Sequence, residues 1–189
     1  MNNPKTQSRL ARIPTIVYPE ELPIAAKREE IARAIAAHQV VVIAGETGSG
    51  KTTQIPKICL DLKRGTHGFI GCTQPRRIAA RTVAGRIAHE LQSQPGDLVG
   101  YKVRFTDKGS ADNLIKVMTD GILLAETQTD RLLKRYDTLI VPQRGQARFI
   151  HQFIQPKTPL IRLNDLSPLR PQGKTSIYLV RVRPESSSS

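Results

Sequence analysis

Acidic residues are scarce in this chain of 189: 16 Asp and Glu stand against 29 Lys and Arg, a formal charge of +13. Such an excess makes a polyanion the natural partner, because phosphate contacts release counterions, and nucleic acid is the first candidate. A basic surface serving solubility alone is the plainer alternative. Tryptophan is absent and aromatic residues make up 4%, so the 39% hydrophobic content implies an aliphatic core. The only cysteines are Cys59 and Cys72, neither in a CxxC pair nor near a histidine cluster, which argues against a disulfide framework or a zinc site. Both read as small core residues in a reducing compartment. His38, His67, His89 and His151 are scattered without metal-ligand spacing. No run of about 18 apolar residues occurs, and the N-terminal stretch lacks a continuous apolar segment with a cleavage site, so the expected location is the cytoplasm.

What is present is an alternation. Residues 1–24 carry four prolines and no sustained period, and read as an extended lead-in. From Ala25 to His38, Ile31, Ala34, Ile35 and His38 recur at helical spacing. VVVIA, Val40 to Ala44, is a short β-branched run of the kind buried on both faces of a parallel sheet. A helix is expected from Lys51 to about Leu62, with Pro56 near enough to its start to be tolerated or to kink it mildly. FIGCT, Phe69 to Thr73, reads as a strand, and IAARTVAGRIAHEL as a helix whose apolar face is Ile78, Val83, Ile87 and Leu91. GYKVRF and LIKVM are further strands; Thr119 or Asp120 caps another helix, and a helix-like segment through Leu132 and Leu133 leads to the strand TLIV, Thr138 to Val141. Helices and short apolar strands alternating over residues 25–141 argue for an α/β sheet with helices on both faces.

The loop after VVVIA carries the chemistry. Gly45, Gly50, Lys51 and Thr52 in GETGSGKT match the phosphate-binding pattern G-x-x-x-x-G-K-[ST], and they do so between a strand and a helix. Gly48 and Gly50 let successive N–H groups curl around a phosphate, with Thr47, Ser49 and Thr53 in the same turn. Lys51 would reach the β/γ-phosphates and Thr52 would offer its hydroxyl to Mg²⁺. TQPRR, Thr73 to Arg77, sets two guanidiniums at the end of a strand, where open α/β sheets bind ligands and where phosphate suits an arginine fork. TDG, Thr119 to Gly121, offers a hydroxyl and helix-terminal N–H groups, and alone would more often be a plain cap.

Taken together, GETGSGKTTQIP, CTQPRRIAARTVAGRIAHE, GYKVRF and VMTDGILL resemble the first RecA-like domain of the DEAH-box ATP-dependent RNA helicases, of the bacterial HrpA type, over about residues 10–141. The resemblance implies a RecA-like P-loop fold, mostly parallel and incomplete, that binds ATP and Mg²⁺ through Thr47 to Thr53. It implies contacts from Thr73, Gln74, Pro75, Arg76 and Arg77, and from Thr119, Asp120 and Gly121, to the backbone of single-stranded RNA. Arg86 matches the arginine that the family stacks on adenine, with Arg81 the neighbour it could be confused with. Arg104 in GYKVRF is a minor candidate for RNA contact.

The resemblance ends at a definite place. In the family the strand matched by TLIV runs into Asp-Glu-Ala-His, whose aspartate holds Mg²⁺ and whose glutamate orients and deprotonates the attacking water. Pro142, Gln143, Arg144 and Gly145 stand there in this chain, and none can coordinate a hard cation as a carboxylate does. The family's Ser-Ala-Thr motif and second RecA-like domain with its arginine fingers are not found in the chain. Asp137 would sit at the wrong end of the sheet, and Asp165 is too distant to assign. Residues 142–189 hold six prolines and eight basic residues against two acids, and read as an irregular basic tail. Its origin is open between sequence altered by a frameshift, rearrangement or truncation, an internal deletion, and an arm with its own function such as RNA binding. RFIHQF and GKTSIYLVRVRP faintly resemble the stretch that follows the family's first domain. Two functions follow as expectations: a helicase-lineage segment that binds ATP and RNA without turnover, or a basic RNA-binding module with nucleotide as a structural ligand.

Overall fold

The computed structural model describes residues 4–94, 96–143, 158–163 and 175–182. In chain order its elements are helix α1 (Pro4–Ala11), a 3-10 turn (Ala25–Lys27), α2 (Arg28–Ala37), β1 (Val40–Glu46), α3 (Lys51–Asp61), β2 (Phe69–Gln74) and α4 (Arg77–Glu90). There follow β3 (Val99–Val103), β4 (Thr106–Lys108), β5 (Ile115–Thr119), α5 (Asp120–Thr129), β6 (Tyr136–Gln143), β7 (Leu160–Arg162) and β8 (Thr175–Val182). The described strands form one sheet in the order β4-β3-β5-β2-β6-β8-β1-β7. Strands β3, β5, β2 and β6 run parallel, as do β1 and β7; β4 and β8 run against their neighbours. The architecture is therefore the expected α/β one, with a mostly parallel sheet between helices.

Alternation within each strand divides the apolar residues between two faces. Val41 and Ile43 of β1, Ile70 and Cys72 of β2, and Ile140 of β6 pack with Ile31, Ile35, Ile55, Ile58 and Ile87 from α2, α3 and α4. The opposite face gathers Leu139, Tyr136 and Met118 beneath Leu123 of α5. Cys59 and Cys72 are buried thiols, as their reading as core residues requires.

Four readings of the sequence change. The lead-in is not extended throughout, because Pro4–Ala11 is helical and Arg9 anchors it. The buried Arg9 guanidinium donates to the carbonyls of Gly65 (2.9 Å), Ala111 (2.8 Å) and Asn113 (2.6 Å), joining loops that no local pattern connects. Ile78 is 81% exposed: α4 starts at Arg77, so its first turn stands beyond the sheet. Val83, Ile87 and Leu91 do pack on the core as expected, joined by Ala80, Ala84 and Ala88, which are small enough to bring the helix close to the strands. The segment through Leu132 and Leu133 is a turn, with Leu133 at φ +51° and the Asp130 carboxylate accepting from the Arg135 N–H. GYKVRF is a strand only to Val103; Phe105, at φ +67°, makes the tight turn into β4.

The largest correction concerns the tail. It is not irregular throughout: β7 pairs with β1, and β8 inserts antiparallel between β6 and β1. Strand β6 continues through Gln143, past the expected boundary at Val141. Arg144, Gly145, Asp165, RFIHQF and the closing serines lie outside the described residues.

Candidate functional site

The carboxyl ends of β1, β2, β5 and β6 lie along one edge of the sheet, since these strands are parallel and continuous in order except for the inserted β8. That edge is where open α/β sheets bind ligands. At its β1 end the chain turns from Glu46 into α3 through residues 47–50, and Gly48 and Gly50 both adopt positive φ, +94° and +90°. At Gly50 the requirement is double: a Cβ there would lie 2.9 Å from Ile24 Cγ2 and 3.0 Å from Leu22 Cδ1. The residues before α2 thus brace the loop, and the Ile24 N–H donates to the Ser49 carbonyl.

Lys51 closes the loop on itself. Its Nζ donates to the carbonyls of Gly45 (2.9 Å) and Glu46 (2.6 Å) and to Ser49 Oγ (2.6 Å). Burial pushes its amine down to about 8, against the opposing pull of Glu46. Gly45 itself packs beneath Leu163, whose Cβ would be 3.0 Å from an added Cβ.

A cleft of about 680 Å³ opens above this loop. Thr47, Gly48, Gly50, Lys51, Thr52 and Thr53 form one wall, and Gln74, Pro75, Arg76 and Arg86 another. Its size and composition suit a nucleotide-sized ligand. Arg86 is mostly exposed, and its Nε donates to Glu90 Oε1 at 3.1 Å. Glu90 also accepts from Gln54 (2.8 Å) and from the fully buried Lys57 (2.9 Å), so α3 steadies the carboxylate that orients Arg86. Burial raises the Glu90 carboxyl, but these bonds outweigh it and hold it below the ordinary range. Arg81 lies elsewhere, on a groove with Tyr101 and Lys108.

Besides Ala79 and Val83 of α4, one residue each from β6 and β8 reaches the cleft, and sequence reasoning missed the second entirely. Pro142 lines it, as expected of the position after TLIV, and Tyr178 of β8 lines it beside Pro142. The Tyr178 hydroxyl is 2.6 Å from Thr52 Oγ1. The run SIYLVRV is β-branched enough to have been read as a strand, but nothing local could place it between β6 and β1. With Thr52 bonded to a phenol and no carboxylate among the described residues that line the cleft, this donor set does not fit a protein-held magnesium ion. Among the described residues no group of three or more His, Cys, Asp or Glu could hold a metal.

Strand register brings the other two motifs together, Gln74 of β2 lying opposite Thr119 of β5. Thr73 is buried, and its Oγ1 has no hydrogen-bond partner among the described residues. Pro75, Arg76 and Arg77 are exposed, with Arg76 extended at the N-cap of α4. Thr119 is the N-cap of α5 without a side-chain capping bond, so its hydroxyl is not spent on the helix. Gly121 is exposed, and a Cβ there would meet nothing within 4 Å. Arg104 is also exposed and lies over the ring of Phe105. Asp137 lies inside β6 rather than before it, at the end remote from the cleft, where its Oδ2 accepts from the Gly65 N–H at 2.5 Å.

Comparison with known proteins gives these features a family. No protein-family model matches the chain. It is 52% identical over 181 residues to the ATP-dependent RNA helicase HrpA of Escherichia coli, covering 96% of this chain and 14% of that protein. It is 52% identical over 165 residues to the HrpA homolog of Haemophilus influenzae, covering 87% and 12%. To the ATP-dependent RNA helicase DHX33 of Drosophila melanogaster it is 48% identical over 124 residues, covering 66% and 18%. The chain thus spans less than a fifth of the length of these relatives. Over most of its own length it belongs with the DEAH-box ATP-dependent RNA helicases of the HrpA type, as a counterpart of one segment of them.

Proposed function

We propose that the chain binds ATP in the cleft above the phosphate loop and the backbone of single-stranded RNA along the ends of β2 and β5, without hydrolysing the nucleotide. One observation carries the reading. The loop residues Thr47, Gly48, Gly50, Lys51, Thr52 and Thr53 line the same cleft as Arg86, which is 33 or more residues away, while the β6 side of that cleft is Pro142. Binding groups are assembled there and the acidic pair that would activate water is replaced by Pro142 and Gln143.

The loop N–H groups, Lys51 and the start of α3 would hold the phosphates, and Arg86 would lie against the base. Gln74, Pro75 and Arg76 border this cleft and also begin the RNA-facing strip that continues through Arg77 to Thr119, Asp120 and Gly121. Nucleotide and RNA would then share one wall, which couples the two ligands without further machinery. Phosphoryl transfer depends on positioning and charge stabilisation at the attacking water. The described residues of the cleft include no carboxylate, and so offer neither a carboxylate base nor a carboxylate ligand for a metal.

The test pairs a titration of the full chain with a fluorescent ATP analogue against a phosphate-release assay with and without RNA. Saturable binding with no RNA-stimulated release is expected; robust release would overturn the reading. Filter binding of an oligoribonucleotide against salt tests the RNA strip, where the log-log slope should be roughly −0.7 for each phosphate contacted.

A further inference from the structure

We propose that Tyr178 belongs to the nucleotide site and takes the place of magnesium as the partner of the Thr52 hydroxyl, so that the cleft binds the metal-free nucleotide. The inference rests on the nucleotide reading above. It adds a residue to the site and specifies the ionic form of the ligand.

Geometry carries it. Tyr178 is 6% exposed, and its hydroxyl lies 2.6 Å from Thr52 Oγ1 at the mouth of the loop. The strand that bears it is fixed from both sides. Strand β8 pairs with β1 from Val40 to Glu46 and with β6 from Thr138 to Gln143, which sets Tyr178 opposite Ile43 on one side and Pro142 on the other. Moving the Tyr178 backbone away from the loop would break two ladders. The ring also packs into the apolar cluster formed with α2, α3 and α4, so its position is set by burial as well as by register.

A magnesium ion at Thr52 would need nearly octahedral oxygen ligands at about 2.0–2.1 Å, and it dehydrates reluctantly. Here the hydroxyl that would serve is hydrogen-bonded, a phenol occupies the adjoining space, and among the described residues no carboxylate lines the cleft. Positive charge comes instead from protein groups: Lys51 within the loop, and Arg76 and Arg86 on the facing wall. These can neutralise phosphate without an ion between them.

The experiment titrates the full chain with a fluorescent ATP analogue, once in millimolar magnesium and once in excess EDTA. The two dissociation constants should agree within about threefold. Tyr178→Phe, which frees the Thr52 hydroxyl while keeping the ring in the core, should make magnesium tighten binding. Thr52→Ala should move both affinities together. Binding of the unsubstituted chain that is tenfold or more tighter in magnesium overturns the proposal and leaves the nucleotide reading intact. So does a loss in Thr52→Ala confined to the magnesium titration. Absence of binding in both conditions removes the nucleotide reading and this proposal with it. A thermal melt of each variant confirms that the comparison is between folded chains.

Discussion

The ends of β1 and β6 lie on the same edge of one sheet, flank the same inserted strand, and differ in what they bring to the cleft. At β1 the turn into α3 is complete in itself: two glycines at positive φ, a lysine satisfied by three oxygens, and a helix N-terminus. At β6 the strand enters the cleft with Pro142, a residue with neither donor N–H nor charge. Between them Tyr178 touches both, bonded to Thr52 and in register with Pro142. The contrast teaches that a glycine-rich turn closed by a lysine and a strand end bearing particular side chains are separable properties of the fold. The first is built from consecutive residues, whereas the second needs particular side chains from a distant strand.

The comparison is most sharply broken at Lys51. Lys51→Ala should weaken nucleotide binding by about 100-fold, the loss of a charge-assisted contact worth roughly 2.7 kcal/mol, read by titration. Gly50→Ala should cost about 2 kcal/mol in thermal or denaturant unfolding, because the new Cβ meets Ile24 and Leu22 at a positive φ. Glu90→Gln should cost about 1.5 kcal/mol by weakening the bonds from Lys57 and Arg86. It should also flatten the acid limb of stability. The folded Glu90 carboxyl lies below its ordinary value, so its contribution is present above the unfolded pKa of about 4.3 and is lost as pH falls through the folded one. Unfolding curves of both chains between neutral and acid pH check the sign. Pro142→Ala should change nucleotide affinity by less than about threefold, since Pro142 contributes shape but no polar group; a large loss there would erase the distinction between the two strand ends.

Much of this was legible from local pattern. VVVIA, the glycine loop and the helix from Lys51 follow from β-branching, positive-φ demand and apolar spacing over a few residues, and each occupies its expected place. Arg86 could be chosen over Arg81 only by resemblance; in space the helix turns the two toward different grooves. Ile78 misled because helical spacing identifies a face but not where the sheet beneath it stops. Pro4–Ala11 escaped because its stability comes from Arg9 reaching carbonyls 56 and more residues away.

The sequence by itself determined the glycine-rich loop from Gly45 to Thr52, the alternation of strands and helices, the basic charge, and the presence of Pro142 and Gln143 at the end of β6. These are properties of single residues or of short windows, where sterics and periodicity act without reference to the rest of the chain. Only the tertiary structure decided that β8 enters the sheet between β6 and β1, that Tyr178 meets Thr52, and that Glu90 steadies Arg86. A strand records its own alternation but not its neighbours. Backbone hydrogen bonds are the same for every partner, so the pairing of β1 with β8, whose partners from Glu46↔Thr175 to Val40↔Arg181 are far apart in the chain, is settled only when the whole sheet buries its two faces.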